Sequence, residues 1–160
     1  MKRDPIVLLQ PPGACRAFTR SASIYPPLGL CCLAATVPAD SAIVVDADGL
    51  NYSQTETLIK ICAMHPVAVA MTVTSFTLDQ VEQLAAIFLE ANIPTIVGGP
   101  HASLAPEDTL KHCPSVQWAI RGEGELVFPE IVERLQRNTS LMGIPGVCAR
   151  NVSELSIHSQ

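Results

Sequence analysis

Short runs of β-branched and aliphatic residues alternate along this chain with segments of helical periodicity. Strands that are separated by helices cannot pair as tight hairpins, so the alternation predicts βαβ units and a parallel sheet. The 160 residues, of which 48% are hydrophobic, suffice for one core of ordinary domain size. We therefore expect one α/β domain with a five-stranded parallel sheet and helices on both faces.

Each predicted strand ends at a polar, proline-rich or glycine-rich segment. The predicted strands are residues 6–10, 42–46, 66–73, 94–97 and 118–120, and the predicted helices are about 28–37, 53–63, 78–91, 106–111 and 126–136. The third strand is apolar on both faces, which is typical of a central strand. Ser53 and Glu56 predict a capping box at the second helix.

Two stretches lack a clear period. Residues 13–27 are predicted as a long loop, and from Asn138 onward no strong pattern remains. We therefore expect the domain to span residues 1–137 and residues 138–160 to form an extended linker or tail. The first helix, with Cys31 and Cys32 as small apolar residues at its start, is expected to be buried.

Charge and cysteine usage exclude several classes of function. Charged residues make up 16% of the chain and the net charge of −5 contains no basic run, so nucleic acid is not an expected partner. Proline and aspartate interrupt every apolar run, so no membrane segment or signal peptide is expected and the protein is placed in the cytoplasm. The six cysteines lack metal-site spacing, which predicts no metal ligands and no iron–sulfur cluster in this chain.

The candidate binding residues are those that follow the predicted strands, because ligands of open parallel sheets bind outside the carboxyl ends of the strands. They are Gln10, Pro11 and Pro12 after the first strand; Asp46 and Asp48 after the second; Thr74, Ser75 and Phe76 after the third; Gly98, Gly99, Pro100 and His101 after the fourth; and Gly122, Glu123, Gly124 and Glu125 after the fifth.

Each of these groups also has a purely structural interpretation. The pair Gly98 and Gly99 lets backbone approach a ring, or makes only a tight turn. Glu123 and Glu125 accept hydrogen bonds from a ligand or from a helix N-terminus, and two carboxylates repel phosphate, so a nucleotide loop is not predicted. His101 is a candidate axial metal ligand or acid, although a lone loop histidine is more often neither. Hydroxyls in the loop after the third strand bind a ligand or cap the next helix.

Four separated segments, taken together, carry a resemblance to a known family. They are residues 26–30, 45–49, 97–102 and 120–125, supported by Phe128. They resemble the N-terminal cobalamin-binding domain of cobalamin-dependent radical SAM enzymes of the methyltransferase type, over residues 8–147. The resemblance implies a flavodoxin-like (Rossmann-like) fold that holds cobalamin, as methylcobalamin or hydroxocobalamin. It places the corrin over the loops after strands one, two and five, and the nucleotide tail beside Ser75, Gly98 and Gly99.

Two departures from related patterns refine that expectation. Other cobalamin domains carry Asp-x-His-x-x-Gly after the first strand, whereas this chain has Gln10-Pro11-Pro12-Gly13. The resemblance therefore implies base-off cobalamin without a protein histidine on the lower cobalt face. The Cys-x-x-x-Cys-x-x-Cys motif of the radical SAM half is absent, so the chain is expected to work with a radical SAM domain in cis or trans and not as an enzyme alone.

Two alternatives remain open at this stage. A small stand-alone flavodoxin-like enzyme would need a nucleophile and a base close together, and the sequence shows no convincing pair. A protein-interaction domain without cobalamin is the other alternative. A receiver domain would have acidic residues after the first strand, where this chain has Gln10, Pro11 and Pro12.

Overall fold

The computed structural model describes residues 4–13 and 26–150. The strands are β1 (Ile6–Gln10), β2 (Ala42–Asp46), β3 (Ala68–Thr72), β4 (Thr95–Gly98), β5 (Trp118–Ile120) and β6 (Val147–Ala149), and the helices are α1 (Leu28–Ala35), α2 (Gln54–Cys62), α3 (Leu78–Glu90), α4 (Pro100–Leu104), α5 (Pro106–His112) and α6 (Gly124–Gln136). The long loop predicted at residues 13–27 lies largely outside the described residues.

The sheet has the order β2-β1-β3-β4-β5-β6. The first five strands pair in parallel, and β6 is antiparallel to β5. This is the flavodoxin-like order with one strand added at the edge. The predicted fold class is confirmed, but the count of five strands is wrong, because the sheet has six.

Both faces of the sheet are buried, as the packing of the side chains of β1 illustrates. Val7 and Leu9 pack in the cluster that contains Phe88 of α3, whereas Ile6 and Leu8 pack in the cluster that contains Phe128 of α6. Successive residues of a strand point to opposite faces, so a strand between two helix layers must be apolar throughout. The strand β3 lies between β1 and β4, as its apolar sequence predicted.

The capping box at α2 is confirmed. Ser53 Oγ accepts from the backbone N–H of Glu56 at 3.1 Å, and Glu56 Oε2 accepts from the backbone N–H of Ser53 at 2.8 Å. The Ser53 N–H, with the Ser53 hydroxyl, lowers the pKa of the Glu56 carboxyl. These bonds fix where α2 begins, directly after the loop that follows β2.

The expectation that the first helix is buried is wrong. Within α1 only Leu30 is buried, whereas Cys31 and Cys32 are exposed and Leu28 is 72% exposed. The helix is apolar all round, so its sequence does not indicate which side packs on the sheet. No element among the described residues covers its outer side.

The sixth strand comes from the segment that was expected to be an extended tail. Leu141 and Ile144 are buried in a cluster with Val147 of β6. The guanidinium of Arg134 donates to the carbonyl oxygens of Ser140 at 3.0 Å and Met142 at 2.9 Å, which ties this segment to α6. A strand of three residues is too short to show a periodic pattern, so β6 could not be predicted from the sequence.

The region after β4 contains two short helices where the sequence predicted one. Residues 106–111 were expected to be helical and correspond to α5, but α4, which begins at Pro100, was not predicted. This difference matters for the site, because His101 lies within the helix α4 and not in a loop.

Candidate functional site

The strand order reverses between β1 and β3, since β2 lies on one side of β1 and all later strands lie on the other. Connections leaving neighbouring strands on opposite sides of a sheet open a crevice at the carboxyl edge, where flavodoxin-like folds bind ligands. All sixteen predicted site residues lie at or directly after the carboxyl ends of strands, at this edge.

A cavity of about 300 Å³ opens at this edge, between the sheet and the helices α1 and α6. Its lining is mostly apolar and contains few polar side chains. The lining residues are Gly29, Leu30, Leu33, Ala70, Met71, Thr72, Ile96, Gly98, Gly99, Pro100, Ile120, Gly122, Glu123, Gly124, Glu125, Phe128 and Ile131. A concave apolar site with a few polar groups at its mouth is typical of a small-molecule pocket.

Small residues create the space in this cavity. Ala70 of β3 and Gly98 of β4 lie on the strands, while Gly29 and Gly124 lie on the facing helices. A Cβ added at Gly98 would meet nothing closer than 3.8 Å, which is ordinary contact with Ile120. The volume that a larger side chain would take at position 98 is therefore open and belongs to the cavity.

Gly99 has a different role from its neighbour. Its φ is +99°, and a Cβ there would lie 2.9 Å from Thr72 Cγ2 and 3.2 Å from the carbonyl oxygen of Val73. The backbone N–H of Val73 also donates to the carbonyl of Gly98 at 2.8 Å. Only glycine allows the loops after β3 and β4 to approach this closely. The structural interpretation of the glycine pair is observed at Gly99, whose backbone makes the turn, while Gly98 borders open space in the cavity.

The loops after β1 and β2 are tied to each other at the same edge. Asp48 is 4% exposed, and its Oδ1 accepts from the backbone N–H of Gly13 at 2.6 Å. Asp46 Oδ1 accepts from the N–H of Gly49 at 2.8 Å, and the carbonyl of Gln10 accepts from Ala47 at 3.1 Å. The carbonyl of Pro12 accepts from the Gln80 side chain. These contacts determine the conformation of the loops beside the cavity. The cavity itself is not lined by the predicted residues of these two loops, Gln10, Pro11, Pro12, Asp46 and Asp48.

The loop after β3 is ordered by its own hydroxyls. The Oγ1 of Thr77 accepts from the backbone N–H of Thr74 at 2.9 Å, immediately before α3 begins. Phe76 is 73% exposed and Ser75 is also exposed. Thr74 therefore serves the turn, while Ser75 and Phe76 present their side chains outward.

Ser75, His101 and Asp108 form a chain of hydrogen bonds across three elements. Ser75 Oγ lies 2.9 Å from His101 Nδ1, and His101 Nε2 lies 3.3 Å from Asp108 Oδ2. The His101 side chain is only 14% exposed, whereas that of Asp108 is 68% exposed. Both ring nitrogens of His101 are thus occupied by protein partners. The sequence did not indicate Asp108, because α4 and the turn before α5 bring it to His101.

The loop after β5 forms the mouth of the cavity. Gly122 has φ +84°, and its backbone N–H donates to Ser103 Oγ at 3.1 Å. Glu123 and Glu125 line the cavity, and no described residue donates a hydrogen bond to either carboxylate. Glu123 occupies the N-cap position of α6 without a side-chain cap bond. The capping role considered for Glu123 is therefore not observed.

The structure thus divides the predicted site residues into groups. Seven line the cavity, namely Gly98, Gly99, Pro100, Gly122, Glu123, Gly124 and Glu125. The remaining nine lie in or beside the neighbouring loops and do not line the cavity. The sequence-based site residues did not include the contribution of α1, from which Gly29, Leu30 and Leu33 line the cavity.

Within the described residues, 4–13 and 26–150, no three His, Cys, Asp or Glu side chains are grouped in a way that would hold a metal ion. No helix in this part of the chain has the length and apolar character needed to cross a membrane.

The parallel sheet, its switch point and the apolar cavity define a flavodoxin-like ligand-binding domain. The B12 binding domain family matches residues 17–132, so this chain belongs to that family. An uncharacterised methyltransferase of Pyrococcus horikoshii is 33% identical over 152 residues, which is 92% of this chain and 33% of that protein.

Two solved structures share the fold. The radical S-adenosylmethionine methyltransferase TsrM from Kitasatospora setae, with cobalamin and a [4Fe-4S] cluster bound, has a TM-score of 0.76 at 16% identity and matches 94% of this chain and 28% of its own. The cobalamin-dependent S-adenosylmethionine radical enzyme OxsB, with aqua-cobalamin and S-adenosylmethionine bound, has a TM-score of 0.76 at 15% identity over 97% of this chain and 22% of its own. The chain therefore spans a third or less of the length of these relatives.

Proposed function

We propose that this chain binds cobalamin at the carboxyl edge of its sheet and serves as the cofactor module of a cytoplasmic radical SAM enzyme system. The observation that carries the proposal is the apolar cavity beside Gly98, in a chain of the B12 binding domain family. The family establishes the class of domain, and the cavity supplies a place for the cofactor in this particular sequence.

The shape of the site fits one part of cobalamin inside the cavity and the other part outside it. A volume of about 300 Å³ is at the lower limit for small-molecule pockets and is too small for a corrin macrocycle. It suits the flat aromatic base of the nucleotide tail, which would pass Gly98 and pack between Ile120 and the side chains of Leu30 and Phe128. The corrin would then lie across the edge, over the loops after β1, β2 and β5.

We propose further that no protein histidine ligates the lower face of the cobalt, and the residues present after β1 support this. The described part of that loop reads Gln10-Pro11-Pro12-Gly13 and offers no imidazole. His101 would have to give up Ser75 or Asp108 to ligate cobalt, since both of its nitrogens are occupied. A base placed in the cavity would also be held away from the metal. These features support a base-off cofactor without a protein histidine ligand.

Bound cobalamin would supply methyl transfer, with methylcobalamin as the carrier form. The residues of this chain would bind the tail in the cavity, orient the ring through the loops at the edge and exclude water from the base. The relatives named above are about three or more times longer than this chain, so the radical SAM domain is proposed as a partner in cis or in trans.

The test is a titration of the purified chain with hydroxocobalamin and with methylcobalamin, followed by desalting and a visible spectrum. We expect a retained, near-stoichiometric coloured species with a base-off spectrum. Gly98→Leu, which fills the cavity without a backbone clash, should abolish retention of cobalamin. Ala86→Leu is the matched control, because it adds a similar side chain on α3 away from the cavity and should bind normally.

Cobinamide, which lacks the nucleotide tail, separates the two parts of the proposal. Gly98→Leu should leave the weaker binding of cobinamide unchanged if only the tail enters the cavity. Equal losses for cobalamin and cobinamide would place the tail elsewhere. A colourless wild-type protein after desalting would reject cobalamin binding and return attention to a stand-alone enzyme or an interaction domain.

A further inference from the structure

The chain of hydrogen bonds through Ser75, His101 and Asp108 is not needed to explain the fold at this edge. The loops after β3 and β4 are already joined by backbone bonds, from Val73 to Gly98 at 2.8 Å and from His101 to Val73 at 3.3 Å. The side chains add a second connection that ends at an exposed hydroxyl. A mostly covered imidazole with both nitrogens engaged, leading to an exposed serine, is arranged to orient that serine.

The direction of the hydrogen bonds follows from the chemistry of the three groups. The carboxylate of Asp108 can only accept, so His101 Nε2 carries the proton that points to it. In the neutral ring Nδ1 is then an acceptor, and the hydroxyl of Ser75 donates to it. Because the Ser75 hydroxyl proton is donated to His101 Nδ1, Ser75 Oγ can act only as a hydrogen-bond acceptor toward a ligand.

We propose that His101 and Asp108 are positioning residues that hold Ser75 Oγ as a hydrogen-bond acceptor for an N–H or O–H donor of bound cobalamin. This inference rests on the proposed function. Cobalamin has carboxamide groups around its corrin and a hydroxyl on its ribose, and both are donors. The serine lies in the loop that directly faces Gly99, which lines the cavity.

The arrangement would favour one polarity of ligand group. Bound cobalamin would cover the exposed Ser75 Oγ, and an acceptor that is covered without a donor costs more than a typical hydrogen bond gains, so a fixed acceptor would discriminate against groups that can only accept. A freely rotating serine would not discriminate, because it can donate or accept. The role of the histidine is therefore to remove that freedom from Ser75.

A double-mutant cycle tests whether His101 acts through Ser75. We expect Ser75→Ala, His101→Ala and the double variant each to weaken cobalamin binding by about fivefold, the effect of one lost hydrogen bond. Independent contacts would instead multiply to about 25-fold in the double variant, which would overturn the proposal. Unchanged affinity in His101→Ala would also overturn it.

A conservative variant distinguishes positioning from simple packing. Asparagine can place its Oδ1 where the histidine has Nδ1, so His101→Asn should keep the acceptor for Ser75 and recover most of the affinity that His101→Ala loses. Loss of affinity in both variants would indicate packing alone and would reject the proposal. Nitrogen NMR of the imidazole provides a readout without the cofactor, and we expect the Nε2–H tautomer in the wild type and loss of that preference in Asp108→Ala.

Repeating the cycle with cobinamide identifies the source of the donor. An equal loss with cobinamide assigns the donor to a corrin carboxamide, and a loss seen only with cobalamin assigns it to the nucleotide part; both results support a fixed acceptor. Failure of the two proposals is distinguishable. If the wild type retains no cobalamin, the proposed function fails, whereas normal wild-type binding with unaffected variants rejects only this inference.

Discussion

At the scale of single residues, Gly98 and Gly99 are adjacent but do different work. Gly98 leaves space in the cavity, while Gly99 lets the loops after β3 and β4 approach each other. The backbone of Gly99 has φ +99° and ψ −170°, a region that is essentially open only to glycine. Gly98 therefore leaves open space, whereas Gly99 meets a requirement of the fold, and the sequence pattern Gly-Gly does not show this difference.

This division predicts opposite effects of alanine at the two positions. Gly99→Ala should lower the free energy of unfolding by about 1–3 kcal/mol, because the added Cβ meets Thr72 Cγ2 at 2.9 Å and the backbone is strained. Gly98→Ala should be neutral or stabilising by up to about 1 kcal/mol, since its Cβ finds open space and the unfolded chain loses freedom. Urea unfolding of both variants checks this, and equal effects would contradict it.

At the scale of elements, the positions of four of the six cysteines predict their reactivity. Cys31 and Cys32 are exposed on α1, while Cys113 and Cys148 are buried. Desolvation by burial raises the pKa of the Cys113 thiol to about 12 and also raises that of Cys148. A neutral, enclosed thiol is a poor nucleophile.

We therefore expect iodoacetamide to modify Cys31 and Cys32 in the native protein and to leave Cys113 and Cys148 unmodified until the chain is unfolded. Peptide mapping by mass spectrometry after a short exposure gives the result for each cysteine separately. The same treatment in urea is the control that all thiols can react. Rapid modification of Cys148 in the native state would show that β6 is not held against β5.

The buried thiol of Cys113 also predicts a pH dependence of stability. Its folded pKa of about 12 lies above the ordinary value of 9.0, so the unfolded chain loses the proton first as pH rises. The stabilisation is complete below about pH 9 and is lost between about pH 9 and pH 12, at up to about 1.4 kcal/mol per pH unit. Cys113→Ala should show a shallower alkaline loss than the wild type in urea unfolding at about pH 8 and about pH 10. Parallel curves would contradict this assignment.

The segment that ends in β6 predicts where the domain can be shortened. Leu141 is 1% exposed and Ile144 is 2% exposed, and both pack with Val147 against the α6 side of the sheet. A chain that ends at residue 137 loses these side chains and the partner of β5. We expect it to be strongly destabilised, because burying each aliphatic side chain contributes about 1.5–3 kcal/mol. A chain that ends at residue 150 is the control, and equal thermal stability of the two would support a domain boundary at residue 137.

At the scale of the whole molecule, the sequence predicted the parallel architecture because strong local patterns carry it. The strands β1 and β2 occur where their aliphatic runs predicted them, and the apolar faces of β3 indicated its central position. The predictions that were wrong concern features determined by tertiary contacts, which leave no local pattern in the sequence. The outer side of α1 is exposed although its sequence is apolar throughout, and β6 is a strand because β5 offers it an edge.

The candidate site shows the same limit. The glycines and polar residues that follow the strands do lie together at one edge of the sheet, where the cavity opens, because the topology brings the carboxyl ends of the parallel strands together. The sequence could not show that Asp48 is turned to the backbone of Gly13, or that His101 lies between Ser75 and Asp108. These are pairings across loops, and they depend on φ values and helix starts that the sequence pattern does not fix.

Binding of cobalamin in the cavity, as proposed, should stabilise the whole domain, because the ligand would add contacts to α1 and α6 that only the folded chain can offer. Cobalamin at about 100 times its dissociation constant would raise the free energy of unfolding by about 2.7 kcal/mol. We expect a concentration-dependent rise in Tm for the wild type and for Ala86→Leu, and none for Gly98→Leu, whose cavity is filled. Since the nucleotide tail in the proposed mode would contact elements on one face of the sheet, cobinamide, which lacks the tail, should give a smaller rise. A rise in Tm for Gly98→Leu equal to that of the wild type would mean that the cofactor is held by the loops alone.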